Sequence, residues 1–171
     1  NKDRFYYKRV YLGCVRAIDF LFTQDKFDKK NLGVYGGSQG GALSIVTGTL
    51  DKRVKSIVAL FPALSDMTGY IENRAGGWPH VFANENFHTF YSKENVQALA
   101  YFDVVNFSKS IQVPGFYSWG FNDNICPPTS MYAAYNVIKA PKKMSLYYEL
   151  GHWVHPDQKQ ESVNWLLKQL K

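Results

Sequence analysis

Residues 36–41 read Gly-Gly-Ser-Gln-Gly-Gly and lie between a short apolar run at 31–35 and a small, apolar, helix-length stretch at 42–50. A strand, a sharp turn that holds a serine and a helix are the setting in which a G-x-S-x-G pattern forms a nucleophile elbow. The turn exposes the hydroxyl, glycines two positions to either side let strand and helix approach closely, and the helix N-terminus favours developing negative charge. The pattern predicts Ser38 as an acyl-transfer nucleophile. The alternative is a glycine-rich turn in which Ser38 only caps the helix.

A serine nucleophile needs a base to take its proton and an acid to orient that base. Downstream of Ser38, Asp123 follows an apolar run at 111–119 and His152 follows another at 143–150. This order, serine then aspartate then histidine, is the one in which α/β-hydrolases carry their three residues. Both residues follow the carboxyl ends of predicted strands, where open α/β sheets hold ligands. We therefore expect the three side chains to meet at one rim of a sheet.

Asp123 and His152, taken one at a time, could each have a purely structural role. Asn-Asp-Asn at 122–124 is good turn chemistry, and a Gly-His pair after a strand often holds a buried structural histidine. Asp66, which follows the predicted second strand, is the runner-up acid. Other titratable residues are weaker candidates, because they lie in a predicted insertion, beyond a strand end or beside a helix: His80, His88, His155, Asp103 and Asp157.

Alternating strand and helix patterns predict an α/β fold with a parallel sheet and right-handed crossovers. The predicted helices cover 4–23, 42–50, 129–139 and 157–170, and the predicted strands cover 31–35, 54–61, 111–119 and 143–150. Residues 63–107 are rich in aromatic side chains, contain a helix start near Ser92, and are long for a connection in this fold class. We expect a lid or cap over the sheet edge there. The alternative is a partly helical insertion that packs against the rest of the domain and has no role in function.

Length and composition narrow the class of protein further. The 171 residues fit one domain, and the net charge of +6 comes from scattered lysines and arginines rather than one stripe, which argues against nucleic-acid binding. Neither Cys14 nor Cys126 has metal-ligand spacing. No apolar run is long enough to cross a membrane. The proposed chemistry calls for no metal or organic cofactor. Any targeting segment would lie upstream of Asn1, so secreted, periplasmic and cytoplasmic locations all stay open.

Five segments of the chain together resemble one family. They are 6–11 (Tyr-Tyr-Lys-Arg-Val-Tyr), 36–43 (Gly-Gly-Ser-Gln-Gly-Gly-Ala-Leu), 101–103 (Tyr-Phe-Asp), 123–128 (Asp-Asn-Ile-Cys-Pro-Pro) and 133–136 (Ala-Ala-Tyr-Asn). They are similar to the acetyl xylan esterase / cephalosporin-C deacetylase family, which has the α/β-hydrolase fold. The resemblance runs along nearly the whole chain. The combination of a Ser-Gln-Gly elbow with a Cys-Pro-Pro loop makes it specific.

The resemblance implies an esterase that removes acetyl groups from small acetylated sugars or short xylo-oligosaccharides, and often from cephalosporin C. It implies Ser38 as nucleophile, His152 as base, Asp123 as the orienting acid and the backbone N–H of Gln39 as an oxyanion donor. It also implies a ring-like homo-oligomer. The family usually has glutamate after the catalytic histidine, whereas this chain has Trp153.

The family's Arg-Gly-Gln signature and its oxyanion tyrosine precede the elbow, so their counterparts would lie upstream of Asn1. We therefore expect residues 1–171 to be the C-terminal part of a single catalytic domain whose sheet has further strands. Without those strands the elbow strand would expose an unpaired apolar edge. The sequence thus predicts that this strand pairs either with an upstream segment or with another chain.

Two rival functions remain open from the sequence. One is a serine peptidase or a different carboxylesterase on the same fold. The other is a non-catalytic, hydrolase-like module that binds a sugar or a protein. A complete Ser-Asp-His set argues against the binding module, because binding alone gives no reason to keep all three residues in order at strand ends.

Overall fold

A computed structural model describes residues 2–171, except for the side chain of Glu85. The described helices are α1 (Tyr6–Phe22), α2 (Gln39–Leu50), α3 (Glu85–Phe90), α4 (Lys93–Ala100), α5 (Val104–Ser108), α6 (Pro128–Val137) and α7 (Pro156–Gln169), with short 3₁₀ turns at Lys2–Arg4 and Gly69–Glu72. The described strands are β1 (Gly33–Gly37), β2 (Ser56–Leu60), β3 (Gly115–Gly120) and β4 (Lys142–Tyr147). The predicted helices and strands are therefore present, with ends shifted by a few residues. The start of β3 shifts most, because the strand begins only after Pro114, which has no N–H to donate.

The described strands form one parallel sheet in the order β1-β2-β3-β4, which confirms the predicted sheet. Helix α7 covers one face, where Leu166 and Leu170 approach Gly33 and Trp165 approaches Phe116. Helices α2 and α6 pack on the other face, where Gly48 meets Ile57. Every residue of β2 and β3 is buried, which explains why these two strands read as nearly continuous apolar runs.

The register brings the carboxyl ends of the strands to one rim. Gly37 at the end of β1 pairs with Leu60 at the end of β2, and Leu60 pairs with Ser118 near the end of β3. Gly120 at the end of β3 pairs with Tyr147 at the end of β4. Any side chain that directly follows one of these strands therefore lies near those that follow the others.

The segment between β2 and β3 contains α3, α4 and α5, and the predicted helix near Ser92 is α4. The hydroxyl of Ser92 caps this helix by accepting from the N–H of Asn95 at 3.1 Å. A buried carboxyl, Asp103, holds the segment together by accepting from the backbone N–H groups of Asp66 at 3.0 Å and Met67 at 2.7 Å. None of the helices within residues 2–171 combines the length and hydropathy required to traverse a bilayer.

Candidate active site

Ser38 lies at the turn between β1 and α2 in a strained backbone conformation. Its φ of 55° and ψ of −121° fall where L residues other than glycine rarely lie. Three backbone hydrogen bonds hold this conformation. The N–H of Ser38 donates to Leu60 at 2.9 Å, and its carbonyl accepts from Ala42 at 3.1 Å and from Ala63 at 3.0 Å. The turn is thus fixed to both β2 and the chain that follows β2.

The glycines around Ser38 are not equivalent. A Cβ added at Gly36 would overlap the backbone of Gly40, and one added at Gly41 would come within 2.7 Å of the carbonyl oxygen of Leu60. A Cβ added at Gly40 would meet nothing within 4 Å. The expectation that both glycines two positions from the serine are needed for close approach therefore holds for Gly36 and is wrong for Gly40. On the helix side it is Gly41 that approaches β2 closely.

The structure brings the three predicted side chains into a continuous hydrogen-bonded row. Nε2 of His152 lies 2.8 Å from Oγ of Ser38, and Nδ1 of His152 lies 2.8 Å from Oδ2 of Asp123. The carboxylate of Asp123 is fully buried, whereas the imidazole keeps 23% of its surface exposed. With the ring proton on Nδ1, the imidazole donates to Asp123 and its Nε2 accepts from the serine hydroxyl.

Asp123 serves two structural purposes at once. Its Oδ1 accepts from the backbone N–H groups of Ile125 at 2.9 Å and Cys126 at 2.8 Å, which is the turn role that its sequence neighbours suggest. Its Oδ2 remains for His152. The turn and the orienting contact are therefore not alternatives, because each uses a different oxygen of one carboxylate.

The loops that carry Asp123 and His152 are joined by backbone hydrogen bonds. The N–H of Phe121 donates to Tyr147 at 3.2 Å, and the N–H of Asn122 donates to Leu150 at 3.0 Å. A Cβ added at Gly120 would overlap the carbonyl of Leu150, so the two chains approach as closely as glycine allows. These contacts set the distance between the acid and the imidazole.

Phe61, which the sequence analysis did not single out, and Cys126, which it did not place at the site, pack against the hydrogen-bonded row of Ser38, His152 and Asp123. The ring of Phe61 meets the imidazole of His152 edge to face, with centroids 4.8 Å apart, and limits how far the imidazole can turn. The thiol of Cys126 lies beside the hydroxyl of Ser38 and the backbone of Trp78. Burial raises the pKa of this thiol to about 12, so it stays neutral near pH 7 and is a poor nucleophile.

Gln39 begins α2 directly after Ser38. The first N–H groups of a helix have no partner within the helix, so the backbone N–H of Gln39 suits an oxyanion. Its side chain extends elsewhere and donates through Nε2 to the hydroxyl of Tyr7 on α1 at 2.8 Å. Burial raises the pKa of Tyr7, which keeps that hydroxyl neutral. The sequence gives no signal for this contact, since the two residues are far apart along the chain.

The weaker candidates have other partners. Asp66, the runner-up acid, is paired with the guanidinium of Arg74 at 2.8 Å. Asp103 caps α5, and His155 caps α7 by accepting from Asp157. Nε2 of His80 lies 2.8 Å from the carbonyl oxygen of Ile125. Across residues 2–171 the structure has no group of three or more histidine, cysteine or carboxylate side chains arranged to hold a metal ion.

The arrangement has the parts that acyl transfer needs: a hydroxyl hydrogen-bonded to an imidazole, a buried carboxylate behind the imidazole, and helix N–H groups beside the hydroxyl. The imidazole is positioned to take the serine proton during attack on a carbonyl carbon. The carboxylate is positioned to stabilise the resulting imidazolium.

The unequal glycines give a testable prediction about stability. We expect G36A to lose about 3 kcal/mol of unfolding free energy, because the obstructing group is backbone that cannot rotate away. We expect G40A to stay within about 1 kcal/mol of the wild type, since its Cβ is unobstructed and alanine favours helix. Urea unfolding of the full-length protein measures both. Equal stability of the two variants would contradict the assignment.

Comparison with known proteins identifies the family of the chain. The family model for acetyl xylan esterase (AXE1) matches residues 1–169. The acetyl esterase Axe7A of Xylanibacter ruminicola is 48% identical over all 171 residues, which span 38% of that protein. The solved acetyl xylan esterase from Paenibacillus sp. R4 is 32% identical with a TM-score of 0.88, and the match covers 98% of this chain and 54% of that one.

A second solved structure, acetyl xylan esterase 1 from Thermoanaerobacterium sp., is 25% identical with a TM-score of 0.85, covering 100% of this chain and 56% of that one. The chain thus spans little more than half the length of either solved relative, and less of the curated one. The family match nevertheless covers nearly every residue. The chain therefore belongs to the acetyl xylan esterase family and has the α/β-hydrolase fold.

Proposed function

We propose that the protein containing this chain is a serine carboxylesterase that removes acetyl groups from small acetylated carbohydrates, such as fragments of acetylated xylan, and from the related acetyl ester of cephalosporin C. One observation carries the proposal. In a chain of the acetyl xylan esterase family, His152 lies 2.8 Å from both Ser38 and Asp123. Ser38 acts as nucleophile, His152 as general base and acid, and Asp123 as the group that orients and stabilises the imidazolium.

In the first half of the reaction, Nε2 of His152 takes the hydroxyl proton as Oγ of Ser38 forms a bond to the acetyl carbonyl carbon. The negative charge that develops on the carbonyl oxygen is stabilised by the backbone N–H of Gln39. Removing a single oxyanion donor typically costs about 10²–10³ in rate, so this N–H carries a large share of catalysis. The carbonyl re-forms, the C–O bond to the sugar breaks, and His152 gives its proton to the departing sugar oxygen.

In the second half, water replaces the sugar. His152 takes a proton from water, the water oxygen attacks the acetyl-serine, and collapse of the intermediate releases acetate and returns the proton to Oγ of Ser38. The imidazolium is formed twice. Each time the buried carboxylate of Asp123 is hydrogen-bonded to its Nδ1, where the low dielectric strengthens the interaction.

The role of Ser38 is tested by labelling the full-length protein with a serine-directed fluorophosphonate and locating the adduct by peptide mass spectrometry. We expect labelling at Ser38, and we expect S38A to lose label and to lose kcat by about 10⁶-fold, as in other serine hydrolases. S44A is the matched control, because Ser44 lies on α2, the helix that follows Ser38, and its hydroxyl donates to the carbonyl of Gly40. Absence of an adduct from an intact protein would favour the non-catalytic binding module.

The proposal gives residues 63–107 the role of a cover that forms one wall of the site. Together with α1 this segment lines a partly open apolar pocket of about 390 Å³, whose walls include Tyr7, Leu64, Met67 and Leu99 and lie beside the three proposed catalytic side chains rather than including them. Tyr7 connects the pocket to the elbow through its hydrogen bond with Gln39. His80, in the same segment, contacts the loop of Asp123 through the carbonyl of Ile125.

A covered site limits the size of the acyl group, which separates the proposed esterase from its rivals. We expect kcat/KM to fall at least tenfold from p-nitrophenyl acetate to p-nitrophenyl butyrate, and we expect no measurable cleavage of peptide anilides. Steady-state kinetics on the full-length protein provide the measurement. A preference for long acyl chains would favour a different carboxylesterase, and cleavage of anilides would favour a peptidase.

We further propose that another strand pairs with the outer edge of β1. Within residues 2–171, β1 has a neighbour on one side only. Beside it, α1 and α2 line an open, largely apolar groove that includes Ile18, Leu21, Val34 and Leu43. An unpaired strand edge next to an apolar groove is a surface that proteins usually cover. The added strand comes either from another part of the same protein or from a second copy.

This proposal is tested by expressing residues 1–171 alone and measuring molar mass by light scattering. We expect the isolated chain to associate, because β1 then has no strand on its outer edge. If the added strand comes from another part of the same protein, adding a polypeptide that carries that part should convert the associated chains to a one-to-one complex. A stable, monodisperse monomer of the isolated chain would contradict the proposal.

A further inference from the structure

One tryptophan next to the proposed base is unusually exposed. Trp153 directly follows His152, so the Cα atoms of the two residues are about 3.8 Å apart. Its side chain remains 51% exposed, although tryptophan is one of the largest apolar side chains. The backbone beneath it is held by a hydrogen bond from its own N–H to the carbonyl of Gly151 at 3.0 Å. The mechanism above does not use this residue.

The exposed indole is supported from one side. Its ring approaches the ring of His155, with centroids 5.7 Å apart, and His155 stacks in turn on Tyr147 at 6.1 Å with an interplanar angle of 30°. His155 is itself fixed, because its Nδ1 accepts from the N–H of Asp157 and its N–H donates to the side chain of Gln158. Gln158 is completely buried and donates to Ser118 of β3 at 2.7 Å. The indole of Trp153 is therefore supported by His155, which is held in turn by Tyr147 of β4 and, through Gln158, by β3.

Exposed polar side chains lie on the two chain segments that adjoin the loop of Trp153. Asp157, whose side chain is 83% exposed, lies at the start of α7, and the exposed Asn122 and Asn124 flank Asp123 on the neighbouring loop. A flat apolar face among amide and carboxylate groups suits a ligand that has both a C–H face and hydroxyl groups. A pyranose ring has this chemistry. The face of an aromatic ring carries partial negative charge, which attracts the weakly positive C–H groups of the sugar.

We infer that Trp153 is a stacking platform for the sugar ring of the ester, beside the acetyl group that Ser38 attacks. This inference rests on the proposed function, because it concerns the leaving-group side of the same site. The indole contacts the pyranose ring and not the reacting atoms, so it sets the preference for carbohydrate esters. A supported ring loses little conformational freedom on binding, which favours affinity.

The test compares two esters in the full-length protein: an acetylated xylo-oligosaccharide and ethyl acetate, which has the same acyl group and no ring. We expect W153A to lower kcat/KM for the sugar ester about tenfold more than for ethyl acetate, mainly through KM. W153F keeps an aromatic face, and we expect it to retain the wild-type preference within about threefold.

The matched control is Y148A. Tyr148 is 68% exposed and lies in the same connection, but its ring packs on Phe121 and not on the Trp153–His155 row. We expect Y148A to leave the preference between the two esters unchanged. Analytical ultracentrifugation of each variant checks that the number of subunits stays the same.

The outcomes separate this inference from the proposed function. If the wild type hydrolyses neither ester, the esterase proposal fails and the platform fails with it. If the wild type hydrolyses both and W153A leaves the preference unchanged, only the platform is wrong. The platform is equally overturned if Y148A has the same effect as W153A, or if W153A changes the subunit number, which would make Trp153 a contact between subunits.

Discussion

The strained backbone at Ser38 is the constraint on which the rest of the site depends. A residue other than glycine in such a conformation costs about 1–3 kcal/mol and persists only where its surroundings fix it. Here the carbonyl of Ser38 accepts both the hydrogen bond that starts α2 and a second one from Ala63. Each hydrogen bond contributes about 1 kcal/mol, so these bonds together with the bond from Ser38 to Leu60 offset the strain. The turn that presents the hydroxyl is thus also the joint between β1, α2 and the chain after β2.

On the opposite side of the imidazole, one carboxylate likewise has both a structural contact and a contact to His152. Asp123 folds its own loop with one oxygen and contacts His152 with the other. The loop after β3 is hydrogen-bonded to the loop after β4, which fixes the carboxylate relative to the imidazole. The position of His152 relative to Ser38 is then set by the register of four strands rather than by any single contact. A small displacement of one loop is therefore opposed by hydrogen bonds to the neighbouring loop and strands.

Much of this arrangement was predictable from the sequence because it follows from chain order. The parallel sheet came from the alternation of apolar runs and helix-length patterns, and the meeting of residues 38, 123 and 152 came from their places after strand ends. The contacts of Phe61 and Tyr7 were not predictable, since each is set by how helices and strands pack rather than by a local pattern. The G-x-S-x-G pattern also pointed to Gly40 for the close approach, whereas packing against Leu60 depends on Gly41.

Cys126 shows why proximity to the site does not by itself make a reactive group. Its thiol lies beside the hydroxyl of Ser38, yet it is completely buried and its raised pKa keeps it protonated. A neutral thiol is a weak hydrogen-bond partner, so it does not compete with the imidazole for the serine proton. The short hydrogen bond of the Ser38 hydroxyl, at 2.8 Å, is the one to Nε2 of His152. The hydrogen bonds of the site thus lie along one line from Ser38 through His152 to Asp123, and in the proposed mechanism the serine proton moves along the first of them, from Oγ to Nε2.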